Sequence, residues 1–135
     1  MPVILDTGIV YAYYDRSDAW HERAVGLVSA EAGSLLLPAP VIPEVDHLLR
    51  HRLGRDAGRV FRRSLADGDY LVADLPQDQY VRVAEIAERF DDLDIGFVDA
   101  AVVTLAQVSG VHRIGTTDRR HFEPLSRALG LELLP

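Results

Sequence analysis

Four carboxylates occupy positions where an α/β chain does its chemistry. Asp6 ends the apolar run Val3–Leu5 and is followed by Thr7 and Gly8. Glu44 lies early in a helical stretch that follows a second apolar run, residues 34–37. Asp99 lies in the first turn of the apolar stretch 97–108, and Asp118 follows the run 112–116. Taken singly, each has an ordinary explanation. Asp6 and Asp118 can cap helices or turns, at about 1 kcal/mol each. Glu44 and Asp99 can sit at the positive end of a helix dipole. Jointly that explanation weakens. Strand ends and the helix starts that follow them meet at one edge of an α/β sheet, and four acids gathered there repel one another unless cations neutralise them. An all-oxygen set suits Mg²⁺ or Mn²⁺. Such ions lower the pKa of a bound water and stabilise charge on a phosphodiester under in-line attack.

The elements that would position these acids follow from spacing. Residues 2–5 read as a short buried strand, and residues 7–14 as an apolar helix with Asp6 at its N-cap. Ser17 is expected to cap a helix over 18–32, with Trp20, Ala24, Leu27 and Val28 on one face. Gly33 breaks it. A strand over 34–37 is closed by Pro38 and Pro40. Helices over 41–53 and 55–66 are separated by Gly54, and Pro43 is tolerated in a first turn. A weaker strand covers 69–73. Pro76 opens a long helix to Phe90, and residues 97–108 form a nearly all-apolar helix stopped by Gly110. A strand over 112–116 leads into a polar turn, then a last strand over 131–134. Strands alternating with helices imply a mainly parallel sheet covered on both faces, and the 135 residues suit one domain, 1–135. In an open parallel sheet, ligands bind beyond the carboxyl ends of the strands, which is where Asp6 points. Retroviral-type aspartic proteases also carry Asp-Thr-Gly. They are nearly all β and need a second copy of the motif, whereas here it occurs once and enters a helix.

Composition removes other chemistries. There is no cysteine, so disulfide frameworks, thiolate metal sites and cysteine nucleophiles are excluded. All 14 basic residues are arginine, which removes P-loop NTPases and any mechanism that needs a catalytic lysine. No run approaches the ~20 apolar residues of a membrane span, and no signal-peptide pattern is present, so a cytoplasmic location is the expectation. The net charge of −7 argues against nucleic-acid binding at face value, but charge is segregated. Residues 50–63 hold six arginines, one histidine and the single acid Asp56, while residues 74–99 hold eight acids and only Arg82 and Arg89. One segment can meet a phosphate backbone and the other can hold cations, or both can be solvated helix faces.

The stretches VILDTGIVYAYYDRSDAWHERA, LPAPVIPEVDHLLRHRLG and DLDIGFVDAAVVTLAQVSGVHRIGTTDRRHF carry a resemblance over nearly the whole chain. In their order and spacing they resemble the PIN domain, specifically the VapC-type ribonuclease toxins of toxin–antitoxin pairs. The resemblance implies a three-layer α/β/α fold and an endoribonuclease that hydrolyses RNA with a Mg²⁺- or Mn²⁺-activated water, leaving 5′-phosphate and 3′-hydroxyl ends. It also implies an antitoxin partner and a homodimer. By motif position Asp6 and Asp99 become the main metal ligands. Glu44 holds a metal-bound water or acts as general base, and Asp118 completes the site or a second metal position. Ala101 stands where many relatives have serine, and Thr117 where many have an apolar residue.

Other residues carry weaker expectations. Thr7 and Thr116 or Thr117 can orient water or phosphate. Arg119 and Arg120 can meet RNA phosphates and are equally ordinary turn residues; His121 can serve as a general acid, though a lone turn histidine more often has no role. Asp91, Asp92 and Asp94 read chiefly as a solvated loop. His21, His47, His51 and His112 form no ligand pattern. Arg55, Arg59 and Arg62 or Arg63 share a helix face that can touch the RNA backbone. Tyr11, Tyr13, Tyr14 and Trp20 divide between the core and a groove for a partner helix. Rival readings are a non-catalytic PIN-like interaction module, a receiver-type phospho-acceptor and a haloacid-dehalogenase-type phosphatase. The last two lack their lysine here, and the phosphatase also lacks a second Asp, because Gly8 stands in its place.

Overall fold

A computed structural model describes residues 1–135. Five short strands form its centre: β1 (Val3–Leu5), β2 (Leu35–Pro38), β3 (Leu71–Ala73), β4 (Arg113–Gly115) and β5 (Glu132–Leu134). All four strand pairings are parallel, in the order β3-β2-β1-β4-β5. Seven α-helices surround them: α1 (Thr7–Tyr14), α2 (His21–Ala30), α3 (Val41–Arg52), α4 (Arg55–Ala66), α5 (Tyr80–Arg89), α6 (Phe97–Ser109) and α7 (Arg119–Leu129). Helix α1 packs against α2 and α3, α3 packs against α4, α5 packs on α6, and α7 lies against β5. The result is the three-layer α/β/α arrangement. No helix is long and apolar enough to cross a membrane.

The central strand explains the apolar run at the start of the chain. Val3, Ile4 and Leu5 are completely buried because β1 has a neighbour on each side and helices above and below. Helix α6 is buried over seven consecutive residues, Ala100 to Ala106. Its one polar member there, Thr104, satisfies its hydroxyl by donating to the Ala100 carbonyl at 2.8 Å. Gly110 ends α6 in the left-handed region at φ 71°. By contrast α4 buries only Gly58 and Phe61 and turns its arginines outward.

Three expectations need correction. The expected polar turn after β4 is the eleven-residue helix α7. Its buried stripe, Phe122 and Leu125, has helical spacing, and Pro124 stands at its centre, where proline is a helix-breaking signal. Ser17 does not cap α2. The segment before the helix is a turn in which Asp15 accepts from the Ser17 backbone and hydroxyl, Asp18 accepts from the Trp20 N–H, and the helix starts only at His21. Pro76 opens a 3₁₀ turn, Gln77–Gln79, before α5 begins.

Candidate metal centre

The sheet order determines where the acids go. From β1 the chain steps one way, to β2 and then β3; β4 and β5 lie on the other side. The crevice between β1 and β4 is therefore the point where the winding reverses, the usual ligand site of an open parallel sheet. Asp6 leaves the carboxyl end of β1, and Thr116, Thr117 and Asp118 leave that of β4. Glu44 comes from the first turn of α3 and Asp99 from the first turn of α6.

Asp6 is 5% exposed and does not cap α1 with its side chain. Instead its Oδ2 accepts from the Thr116 hydroxyl at 3.0 Å. Burial, followed by the charge of Asp99, raises its pKa to about 7, and Asp118 adds to the rise. Hydrogen bonds from the Thr7 N–H and the Thr116 hydroxyl pull the other way. Asp99 is raised to about 6 by burial first, then by Asp118, with Glu44 adding and His121 opposing. Glu44 accepts from the Thr7 hydroxyl at 2.6 Å through Oε1. Asp118 caps α7, accepting from the His121 N–H at 3.1 Å, and its Oδ2 lies 2.8 Å from His121 Nδ1. The same ring nitrogen is 3.7 Å from Asp99 Oδ2.

All four acids thus belong to one electrostatic cluster: Asp6 feels Asp99 and Asp118, and Asp99 feels Asp118 and Glu44. Glu44, Asp99 and His121 line one depression of about 400 Å³ with Asp94, Gly96, Phe97 and Val98. Asp99, Asp118 and His121 each offer a ligand atom within 4.8 Å of the others, near the ~4.2 Å between opposite ligands of an octahedral ion bound at ~2.1 Å. No arginine lines this depression. The donor set fits a hard divalent cation, with one imidazole that extends its range toward Mn²⁺.

Sequence reasoning left three contributors out of the candidate ligand set or unassigned. His121 joins the cluster because Asp118 and His121 are three apart on the first turn of α7, a relation that appears only once that helix is recognised. Thr116 is fully buried and serves Asp6, and its Oγ1 also accepts from the Asp118 N–H at 3.0 Å, so it braces two acids at once. Gly8 is the third. A Cβ built there would lie 2.2 Å from Thr117 Oγ1, so glycine in the Asp-Thr-Gly motif allows the β4–α7 loop to press against α1. Thr117, considered for RNA contact, is a packing partner of Gly8, and Thr7 is occupied by Glu44.

The arginines are distributed differently. Arg119 donates to the Pro135 carbonyl, whereas Arg120 is exposed and makes no ion pair. Arg59 pairs with Asp56 at 2.8 Å and Arg62 with Asp46 at 2.6 Å, while Arg55 has no acidic partner and shares a small cleft with Arg50 and His51.

Comparison with known proteins agrees with this architecture. The PIN domain profile matches residues 3–127. Ribonuclease VapC26 of Mycobacterium tuberculosis is 33% identical over 123 residues, 91% of each chain. Among solved structures, M. tuberculosis VapC20, described as a Sarcin-Ricin loop cleaving toxin, superposes with a TM-score of 0.82 at 22% identity, covering 98% of this chain and 99% of that one. The DNA-bound VapBC of Salmonella typhimurium superposes with a TM-score of 0.72 at 14% identity, covering 98% and 96%. With the profile spanning most of its length and a relative of this similarity across nine-tenths of it, the chain belongs to the PIN domain family.

Proposed function

We propose that this chain, as one PIN unit over residues 1–135, is a VapC-type toxin: a Mg²⁺- or Mn²⁺-dependent endoribonuclease held in check by an antitoxin. The observation that carries the reading is the convergence of Asp6, Glu44, Asp99 and Asp118 at one sheet edge, with Asp6 and Asp99 pushed to about 7 and about 6 by burial first and by the neighbouring acids next. The 33%-identical relative is itself named a ribonuclease, which supports the same activity here. Of the alternatives, a non-catalytic module has no use for an acid cluster whose repulsion is left uncompensated.

A divalent cation held by Asp6, Asp99 and Asp118 would supply Lewis-acid stabilisation of the phosphodiester and a water of lowered pKa. The residues of the chain do the rest. Thr116 fixes Asp6 Oδ2 and leaves the other oxygen for the site. Thr7 fixes Glu44 Oε1, leaving Oε2 to accept the proton of the attacking water. His121 is anchored through Nδ1 to Asp118, so its Nε2 is free to hydrogen-bond a phosphate oxygen or the leaving oxygen. Arg120, exposed beside Asp118, contacts an adjacent phosphate, and Arg55 and Arg59 reach more distant ones.

Partners follow from the same reading. Neighbouring folds are described as a toxin–antitoxin complex from Klebsiella pneumoniae and as VapBC assemblies. We assign the antitoxin to the depression of about 310 Å³ bordered by Tyr13, Tyr14, Val28, Ala32 and Tyr70, and we take the active form as a homodimer acting in the cytoplasm, where RNA substrates are found. The direct test is digestion of total RNA by purified protein with Mg²⁺ or Mn²⁺ and with chelator, beside Asp99→Asn. Metal-dependent cleavage by the wild type alone is expected; equal cleavage by the variant overturns the assignment.

A further inference from the structure

At the lip of the acidic depression stands an aromatic pair that the reaction outlined above does not use. Phe97 is the first residue of α6, two positions before Asp99, and lines the same depression as Glu44, Asp99 and His121. It is 51% exposed. Tyr80, the first residue of α5, is also exposed, and its ring lies nearly parallel to that of Phe97, at 19° with centroids 6.3 Å apart. Because α5 and α6 pack along one another, the pair is held by rigid elements. Burying a phenylalanine is strongly favourable, and the nearby Ile95 does reach the core. A phenylalanine kept half in water beside a catalytic candidate, with a second ring supporting it, has the form of a recognition surface.

The surrounding charge says what it recognises. The depression is lined by three carboxylates, Glu44, Asp94 and Asp99, against one imidazole, His121, and no arginine, so its walls as a whole disfavour an anionic phosphate. A nucleobase is uncharged, and its π-face stacks on aromatic rings whatever the sequence. Only an unpaired base can present that face, since duplex bases are already stacked. We propose that Phe97, backed by Tyr80, is the platform on which an unpaired base of the RNA stacks, beside the phosphate presented to the acidic cluster. The platform rests on the nuclease reading and sharpens it to single-stranded segments such as loops and bulges. Phe97 is then a positioning residue: it places the phosphodiester and takes no part in bond cleavage.

The test compares wild type with Phe97→Leu, which keeps apolar bulk and loses the π-face, and with Phe97→Trp, which restores it. Cleavage of a single-stranded RNA is followed in Mn²⁺ for KM and kcat separately. Binding of a 2-aminopurine-labelled RNA is followed by fluorescence quenching in metal-free buffer, and thermal melting and light scattering report folding and oligomeric state. The expected result in Phe97→Leu is a KM raised about tenfold, kcat little changed and quenching abolished, with KM and quenching both recovered in Phe97→Trp. An unchanged KM while the wild type cleaves overturns the platform and leaves the nuclease standing. So does a change in oligomeric state with KM unchanged, which makes the pair a contact between copies of the chain. Absence of cleavage by the wild type overturns the nuclease reading, and the platform with it.

Discussion

The acidic rim beyond β1 and β4 and the arginine-rich surface of α3 and α4 are both segregated runs of charge, and they are built in opposite ways. Around α4 the charges are exposed, and half of the arginines are paired: Asp46 serves Arg62, with Arg50 at 3.9 Å, and Asp56 serves Arg59, while the rest are solvated. Such pairs are worth only about 0–1 kcal/mol each and ask for nothing further. At the rim the acids come from four separate elements, Asp6 is almost fully buried, and the only basic group paired with them is one imidazole. A fold that holds like charges together at a cost to itself does so for a ligand that the charges need. Charge density alone does not mark a site; like charge held together and partly buried does.

The sharpest way to break this contrast is Asp99→Asn. RNA cleavage should fall by about a hundredfold or more, because a ligand and its charge are removed. The metal-free protein should melt at a higher temperature at pH 7, because repulsion with Asp118 and Glu44 is relieved. Loss of activity with a lower melting temperature would show that Asp99 is a structural support.

Next in size is the pH dependence of metal-free stability. Asp6 and Asp99 titrate near 7 and 6 in the folded protein, above the ordinary 3.8, so between pH 4 and 7 the folded state binds more protons than the unfolded one. The stabilising contribution of these groups is complete below about pH 4 and is lost as pH rises through 6 to 7. For Asp6 alone the loss is on the order of 4 kcal/mol. Melting followed by circular dichroism from pH 4.5 to 8 should show this decline, and Mn²⁺ should reverse it increasingly at the upper end. The same decline in Asp6→Asn would detach it from the site.

Gly8→Ala should act between the two regions, on the loop that carries Asp118. Its methyl would enter the space of Thr117 Oγ1, costing about 1–3 kcal/mol by overpacking. Thr117→Ala in the same chain should restore much of the stability. If Gly8→Ala melts like wild type, the close approach has no consequence. The smallest effects belong to the arginine surface. Arg55→Glu and Arg59→Glu should weaken RNA binding severalfold and lower the slope of log affinity against log salt by roughly one for each phosphate no longer neutralised. An unchanged slope would make α4 an ordinary solvated face.

Much of this is legible in the residues, for identifiable reasons. Strand β1 shows as an unbroken apolar run, and α3, α4 and α6 carry clear stops at Gly54 and Gly110, so their limits follow from spacing to within a residue. Helix α7 is hidden because Arg119, Arg120 and Glu123 dominate its first half and Pro124 sits at its centre, and its stripe of Phe122 and Leu125 is too short to outweigh them. With α7 goes the link between Asp118 and His121. The hydroxyls that brace the acids are illegible for another reason. Thr116 serves Asp6 from 110 positions away and Thr7 serves Glu44 from 37, and no local pattern specifies which long-range partner a hydroxyl meets. The Gly8–Thr117 approach is tertiary in the same way.

The central claim is that acids far apart in the chain form one cation site. Titration of Mn²⁺ into metal-free protein, followed by calorimetry or electron paramagnetic resonance, tests it most directly when wild type is set beside Asp6→Asn, Asp99→Asn and Asp118→Asn. The account predicts saturable binding by the wild type and at least about tenfold weaker binding in each of the three. Undiminished affinity in all three variants, or no binding by the wild type, would contradict it.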